Sequence, residues 1–171
     1  MFIEISNLTK RIKKATVLDN INIRFTDSKI YGLKGKNGSG KTMLMRARCG
    51  LILPTEGGEI LGKDISFPKS IGILIENPSF VSNYTGFKNL KILAEIQENI
   101  DDEAIKEVIS LVGLNPDDKK KYKKYSLGMK QRLGIAGAIM ENPDIVLLDE
   151  PLNALDEKGV NIVRNILLKL R

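Results

Sequence analysis

The chain has 171 residues, of which 42% are hydrophobic and 28% are charged, proportions typical of a globular domain and not of a disordered segment or a coiled coil. One cysteine and no histidine exclude a disulfide framework, a Cys/His zinc site and histidine-dependent hydrolysis, so any metal must be a hard cation on oxygen ligands. The net charge of +6 suits nucleic acid, anionic lipid or phosphate-rich ligands and does not choose among them.

The first half of the sequence predicts a β layer followed by a strand, a loop and a helix. Alternating apolar residues at 2–5 and 21–25 predict antiparallel strands, with a basic turn over 10–14. Residues 30–33 predict a short apolar strand, and a glycine-rich loop follows. Residues 43–53 predict a helix that Pro54 ends.

The second half alternates strands and helices. Strands are predicted at 57–61, at 71–75, where burial should be complete, and at 145–148. Apolar stripes predict four helices, over 87–100, 105–112, 126–140 with Ser126 as its cap, and 160 to the last residue. The pattern predicts an α/β fold with a mostly parallel sheet, an antiparallel β layer and a helical insertion over residues 78–140.

A phosphate-binding loop is predicted between the strand at 30–33 and the helix that follows it. Its eight residues fit the pattern G-x-x-x-x-G-K-[ST]: Gly35, Lys36, Asn37, Gly38, Ser39, Gly40, Lys41 and Thr42. Glycines let backbone N–H groups turn towards an anion at the helix N-terminus. Lys41 would reach the β- and γ-phosphates, and Thr42 would offer an oxygen to Mg²⁺. The alternative is a glycine-rich turn with an incidental lysine.

Two adjacent carboxylates follow the apolar strand at 145–148. Successive strand side chains point in opposite directions, so Asp149 and Glu150 should have different roles. Asp149 would hold Mg²⁺, and Glu150 would orient or deprotonate the attacking water. The alternative is an acidic turn before Pro151.

The run Tyr125-Ser126-Leu127-Gly128-Met129-Lys130-Gln131-Arg132 resembles the signature motif of ABC-type ATPases, and Asn153-Ala154-Leu155-Asp156 resembles their D-loop. Five features occur in the family's order over almost the whole chain: the phosphate loop, the helical insertion, the signature, the acidic strand and the D-loop. Residues 1–171 are therefore identified as one ABC transporter nucleotide-binding domain, with residues 78–140 as its helical subdomain. The run at 75–78 resembles bacitracin-resistance and lantibiotic-immunity exporters within the family.

The resemblance implies an ATPase that binds Mg-ATP, forms a head-to-tail homodimer and hydrolyses ATP to ADP and phosphate. Ser126 and Gly128 of one copy would contact the nucleotide held by the other. Hydrolysis would drive export by a separate polytopic membrane permease, holding the domain at the inner face of the cell membrane. The chain itself has no apolar run near the roughly 20 residues that cross a bilayer and no secretory signal, so a cytoplasmic location is expected.

Several positions depart from the family pattern. Ile12 stands where the family usually stacks an aromatic side chain on adenine, which predicts weaker base contact and looser selection of ATP over GTP. Leu127 and Met129 replace the glycine and glutamine of the signature. Glu76 stands where a glutamine usually contacts Mg²⁺ or water; it keeps an oxygen ligand and adds a negative charge. Alternatively, Glu76 is a surface residue before a turn.

The family's switch histidine is missing, and the sequence ends 21 residues after Glu150. We therefore expect the chain to be truncated at its C-terminus and impaired in hydrolysis. A second function remains open, that of a soluble ABC-fold ATPase acting on ribosomes or nucleic acid. Basic clusters at 10–14 and 119–124 have few aromatic residues among them, so nucleic-acid binding is not expected, and a solvated surface is the alternative reading.

Overall fold

The computed structural model describes residues 2–57, 59–61, 70–97 and 100–170. The chain forms two compact units, which divide between residues 69 and 70. The first unit contains a sheet of three strands in the order β2-β1-β3, formed by β1 (Phe2–Ile12), β2 (Ala15–Thr26) and β3 (Glu59–Leu61). Both pairings are antiparallel, which confirms the predicted antiparallel layer. The hairpin is longer than predicted, because the strands extend through most of the basic run at 10–14 and leave only residues 13 and 14 as the turn.

The first unit has a small apolar core between this sheet and helix α1 (Lys41–Arg48). Its buried members are Ile5, Leu8, Leu18 and Leu44. Helix α1 ends well before Pro54, so the predicted end at residue 53 is wrong. Gly50 has a left-handed φ of 70°, and the N–H groups of Gly50 and Leu51 donate to the carbonyl oxygens of Ala47 and Arg46. This glycine-terminated pattern ends the helix locally.

The strand predicted at residues 30–33 is not formed. Residues 29–36 have no regular secondary structure, and Ile30 and Tyr31 are 53% and 43% exposed. The Tyr31 ring packs edge-on against Phe25, and its hydroxyl accepts a hydrogen bond from the Thr26 N–H at 2.8 Å. An apolar run becomes a strand only where a neighbouring strand pairs with it. Here the segment packs through side chains on the end of β2.

The second unit contains a parallel pair, β4 (Ile71–Leu74) and β5 (Ile145–Leu148), in which Leu74 lies opposite Leu148. The expected complete burial of residues 71–75 is wrong, because Ile73 is 38% exposed. The opposite face, which carries Gly72 and Leu74, is buried. Gly72 lies so close to the helix α4 described below that a Cβ atom there would stand 1.7 Å from the carbonyl oxygen of Ala138.

The second unit also contains four helices, of which α4 packs on both strands: α2 (Gly86–Gln97), α3 (Asp102–Leu111), α4 (Leu127–Ile139) and α5 (Glu157–Lys169). A 3-10 turn, Tyr122–Lys124, precedes α4. Asp101, Ser126 and Asp156 cap α3, α4 and α5 through side-chain hydrogen bonds. The larger core of the chain lies here and includes the fully buried side chains Leu90, Ile105, Ile109, Leu133, Ile135 and Val163.

Parallel and antiparallel strands together with helices confirm the predicted α/β class. The predicted insertion at 78–140 lies wholly within the second unit and stays a prediction as a separate subdomain. Gly58 of the predicted strand at 57–61, and Arg171 at the end of the last helix, lie outside the described residues. Within the ranges described, no helix combines the length and the apolar character needed to cross a membrane.

Candidate nucleotide-binding site

The glycine-rich loop of the first unit leads directly into α1. Gly40 is the N-cap residue with a φ of 90°, and no side chain caps this helix end. A Cβ atom on Gly40 would stand 2.6 Å from the carbonyl oxygen of Val17 in β2, so both the backbone angle and the space require glycine here. The first turn of α1 therefore offers backbone N–H groups and the positive end of a helix dipole to an anion.

Lys41 lies across this loop. Its ammonium group donates to the carbonyl oxygens of Gly35 at 2.9 Å and Lys36 at 3.1 Å. The Ser39 N–H donates to the Lys36 carbonyl at 3.1 Å, and a Cβ atom on Gly35 would collide with the Ser39 hydroxyl at 2.5 Å. The loop is thus a tight turn that holds a positive charge on its own carbonyl groups.

Three acidic residues predicted for the site lie at the carboxyl ends of β4 and β5. The Asp149 N–H donates to the Leu74 carbonyl at 2.7 Å, which continues the parallel ladder past β5. Asp149 is 9% exposed, whereas Glu150 and Glu76 are exposed. Because the strands are parallel and in register, these carboxylates share one edge of the sheet, where open α/β sheets bind ligands.

Glu150 is held by its neighbours in an unusual backbone conformation, with a φ of 47°. Its carbonyl oxygen accepts from the Asn153 N–H at 3.0 Å and from the Gln131 side chain at 3.3 Å. The Asn153 side-chain amide also donates to the Glu150 carboxylate. A non-glycine residue with positive φ persists when surrounding contacts determine it, and such residues concentrate at functional sites.

The signature run forms the N-terminal end of α4. The Ser126 hydroxyl accepts from the Met129 N–H at 3.2 Å. Gly128 packs closely on the segment after Glu150, because a Cβ atom there would stand 2.9 Å from the carbonyl oxygen of Ala154. Leu127 is 70% exposed. Ser126 and Gly128 therefore lie at an exposed helix end packed on the D-loop segment.

Two further contacts fix this helix end. The Arg132 guanidinium donates to the carbonyl oxygens of Val112 at 3.2 Å and Gly113 at 2.8 Å, which ties α4 to the end of α3. The Tyr125 hydroxyl accepts from the Gly86 N–H at 3.2 Å. Burial raises the pKa of Tyr125, and the hydrogen bond from Gly86 opposes that shift. Tyr125 therefore stays protonated at neutral pH.

Sequence reasoning gave no role to Gln131 or to the Asn153 side chain. Gln131 is only 6% exposed and connects α4 to the backbone of Glu150. A signal for it existed, because Gln131 and Ile135 are one helical turn apart on the buried stripe of α4. A polar side chain at a core position implies a buried hydrogen-bond partner.

The structure divides the predicted site residues between the two units. The eight residues at 35–42 belong to the first unit, and the second unit brings together Glu76, Asp149, Glu150, Ser126 and Gly128 around β4, β5 and the start of α4. In the described ranges no group of three or more His, Cys, Asp or Glu side chains is arranged to hold a metal ion.

Comparison with known proteins identifies the family. The family model for "ABC transporter" matches residues 18–153, which include the phosphate loop, the signature and the acidic strand. The chain belongs to the ABC transporter family. It is an ATP-binding domain of that family, as its motif order predicted.

The relatives include ATP-binding proteins that are named for bacitracin and lantibiotic transport. The chain is 59% identical to an uncharacterized ABC transporter ATP-binding protein of Bacillus subtilis, YybJ, over 98% of this chain and 79% of the relative. It is 42% identical to the bacitracin transport ATP-binding protein BcrA of Enterococcus faecalis, over 98% of this chain and 56% of the relative. Identity to the lantibiotic transport ATP-binding protein SrtF of Streptococcus pyogenes is 37%, over 96% and 73%. These relatives confirm the resemblance to bacitracin and lantibiotic transport proteins, and the chain spans just over half the length of BcrA.

Solved structures share the fold. The dimeric structure of MJ0796, a bacterial ABC transporter cassette, matches with a TM-score of 0.85 at 24% identity, over 98% of this chain and 82% of that chain. This likeness supports the predicted P-loop α/β fold.

Proposed function

We propose that this domain binds Mg-ATP and hydrolyses it to ADP and phosphate, and that the cycle drives export by a separate membrane permease. The observation that carries the proposal is the start of α1, where an uncapped helix N-terminus follows a glycine-rich turn that holds the Lys41 ammonium. A backbone anion site with a fixed positive charge suits the phosphate chain of a nucleotide.

The residues of this loop fit a polyphosphate for two reasons. Glycine at positions 35 and 40 keeps side chains away from the turn, since a Cβ atom at either site would collide. Among the residues that the structure describes, the Lys41 ammonium bonds only to neutral carbonyl groups, at 2.9 and 3.1 Å. Phosphate oxygens are stronger acceptors for an ammonium ion, so Lys41 would exchange these contacts for the β- and γ-phosphates.

For Mg²⁺ we propose the Thr42 hydroxyl and the Asp149 carboxylate, with Glu76 as a further oxygen donor. The small number of protein ligands suits Mg²⁺, which keeps several waters and takes substrate phosphate oxygens. The ion would neutralise charge that develops on the transferred phosphoryl group. Asp149 is buried at the strand end, whereas Glu76 is exposed and nearer to solvent.

Glu150 is the proposed general base. Its carboxylate would accept a proton from the attacking water as that oxygen bonds to the γ-phosphorus and the bond to ADP breaks. Asn153 donates to one carboxylate oxygen, which orients the group. The other oxygen is left to receive the proton. Lys41 would stabilise the negative charge on the phosphoryl oxygens.

We further propose that two copies close head-to-tail over ATP, with Ser126 and Gly128 of one copy against the phosphates held by the other. The exposed start of α4 supports this, because its N–H groups and helix dipole favour an anion. The dimeric cassette with the same fold gives further support. Nucleotide would then bridge the copies, and hydrolysis would remove that bridge.

The partner is proposed to be a polytopic permease, with the domain held at the inner face of the cell membrane through it. Relatives named for bacitracin and lantibiotic transport support an antibiotic peptide as the exported class.

The test replaces the proposed base with its neutral isostere. Glu150→Gln should lower kcat for ATP hydrolysis by about 100-fold or more, the range of general-base catalysis, and leave ATP affinity close to wild type. The trapped nucleotide should also increase the dimer fraction measured by light scattering. Glu157→Gln, at an exposed position in the first turn of α5, is the matched control and should change neither. Equal kcat for the Glu150→Gln variant and wild type would overturn the assignment.

A further inference from the structure

Five lysines form a positively charged surface just before α4. This lysine face consists of Lys119, Lys120, Lys121, Lys123 and Lys124, and all five side chains are exposed. The ion pairs of the described residues, such as Arg11 with Glu56 and Lys91 with Asp102, lie elsewhere. In the described part of the chain, none of the five lysines is paired with a carboxylate.

The backbone beneath the lysine face is fixed. Tyr122, in the middle of the run, is 6% exposed, and its hydroxyl donates to the Pro78 carbonyl at 2.5 Å. The N–H groups of Tyr122 and Lys123 donate to the carbonyl oxygens of Tyr84 at 2.8 Å and Ser82 at 3.0 Å. Because a buried tyrosine and these bonds hold the segment, the lysines lose little additional backbone entropy when they bind a partner.

Neighbouring groups increase the positive charge. The Lys88 ammonium lies 4.1 Å from the centre of the Tyr84 ring, and the Lys130 ammonium lies 5.2 Å from that of Tyr122. The acidic neighbours in sequence are Asp117 and Asp118, and Asp118 accepts from the Lys120 backbone N–H at 2.9 Å. The segment 117–124 thus carries two carboxylates and five lysine side chains, which gives it a positive field.

The chemistry around the face favours phospholipid over nucleic acid. Single-stranded nucleic acid binds to exposed aromatic rings, but Tyr122 and Tyr125 are only 6% and 8% exposed. An apolar side chain is exposed beside this face: Val81 is 50% exposed, and its neighbour Ser82 accepts the hydrogen bond from the Lys123 N–H. Lysines beside exposed apolar side chains are typical of surfaces that contact membrane headgroups.

We propose that the lysine face binds the anionic phospholipid headgroups of the membrane. This contact would be made by the domain itself, independently of a permease and of nucleotide. Each lysine near an anionic membrane surface adds a favourable electrostatic contribution that salt weakens. Adjacent lysines together would thus hold the domain reversibly against the membrane.

Co-sedimentation of the full chain with vesicles tests the proposal. We expect binding to vesicles of phosphatidylcholine with phosphatidylglycerol and none to phosphatidylcholine alone. Replacement of Lys119, Lys120 and Lys124 by Gln should lower the partition coefficient by about 100-fold. Replacement of Lys14, Lys29 and Lys158 by Gln removes the same charge from exposed positions elsewhere and should lower it by less than about fivefold.

Three results would overturn the proposal. One is no binding to the anionic vesicles. A second is an equal loss in the two triple variants, which would make net charge and not this face the cause. The third is that the chain binds a single-stranded RNA more tightly than it binds the anionic vesicles at the same salt concentration, and that the triple variant of the lysine face loses this RNA binding. That result would make the lysine face a nucleic-acid site. Circular dichroism melts of both variants, and ATP binding measured separately, keep these results distinct from unfolding and from the nucleotide function.

Discussion

Removing the Ser126 hydroxyl separates its structural role from its proposed role in catalysis. The hydroxyl caps α4 by accepting from the Met129 N–H at 3.2 Å. Asp101 caps α3 in the same way, accepting from the Ala104 N–H at 2.9 Å. Both caps are exposed, so Ser126→Ala and Asp101→Ala should each lower the free energy of unfolding by about 1 kcal/mol. That loss corresponds to about 2–4 °C in Tm for a chain of this length.

The ATPase rate should distinguish these two variants. If the Ser126 hydroxyl also contacts the phosphates held by a second copy, Ser126→Ala loses a hydrogen bond to a charged group. Such a bond contributes about 1.5–3 kcal/mol, so kcat/KM for ATP should fall by about 10- to 100-fold. Asp101→Ala should keep its activity. Ser126→Thr, which retains a capping hydroxyl, should keep both stability and activity.

Urea unfolding followed by circular dichroism gives the stability change, and steady-state phosphate release gives the activity. If Ser126→Ala and Asp101→Ala lose the same activity, Ser126 acts only as a cap and its role in the nucleotide site is refuted. If Ser126→Ala loses no stability, the hydrogen bond to Met129 does not contribute as the structure indicates.

Three further predictions concern packing, nucleotide affinity and pH. Gly72→Ala should lower the free energy of unfolding, measured in urea, by about 3 kcal/mol, because its Cβ atom would stand 1.7 Å from the Ala138 carbonyl oxygen. Gly32→Ala is the control, because nothing lies within 4 Å of a Cβ atom at that position. Equal losses of stability in the two variants would contradict the close approach of Gly72 to α4. Ile12→Tyr should raise ATP affinity about tenfold or more in a fluorescence titration, because base stacking on an aromatic ring contributes about 1–3 kcal/mol, and unchanged affinity would contradict the assigned adenine contact. Burial raises the pKa of Tyr122 and Tyr125 above the usual 10.0. These two hydroxyls therefore lose their protons at lower pH in the unfolded chain than in the folded one, and the free energy of unfolding should fall above about pH 10. Tyr122→Phe should reduce that fall, and an unchanged pH dependence would exclude Tyr122 as a cause.

Local signals in the sequence predicted those elements whose ends are marked by single residues. Ser126 was predicted as the cap of α4 and is confirmed. The strands before Glu76 and Asp149 were also predicted within a residue of their bounds. The helix boundary is marked by a polar cap, and each strand is a short apolar run that ends just before an acidic residue.

Elements that depend on distant partners could not be predicted as well. Residues 30–33 have the composition of a strand, but pairing and not composition makes a strand, and Tyr31 contacts Phe25 and Thr26 instead. Helix α1 has an apolar stripe that continues past its end, yet the positive φ of Gly50 ends it.

The candidate site also combines residues that sequence motifs predict with contacts that the sequence does not reveal. Motif spacing named the residues of the loop at 35–42 and the acidic pair after β5. It could not reveal that Gln131 donates to the backbone of Glu150. That contact depends on how α4 packs beside β5 in three dimensions, which hydrophobic periodicity alone does not specify.

Calorimetric titration of the full chain with a non-hydrolysable ATP analogue and Mg²⁺ tests the central claim most directly. The account predicts one bound nucleotide per chain. It also predicts a loss of affinity of at least about tenfold in Lys41→Ala, because a charge-assisted contact to phosphate is removed. The absence of nucleotide binding by the folded wild-type chain would contradict the account.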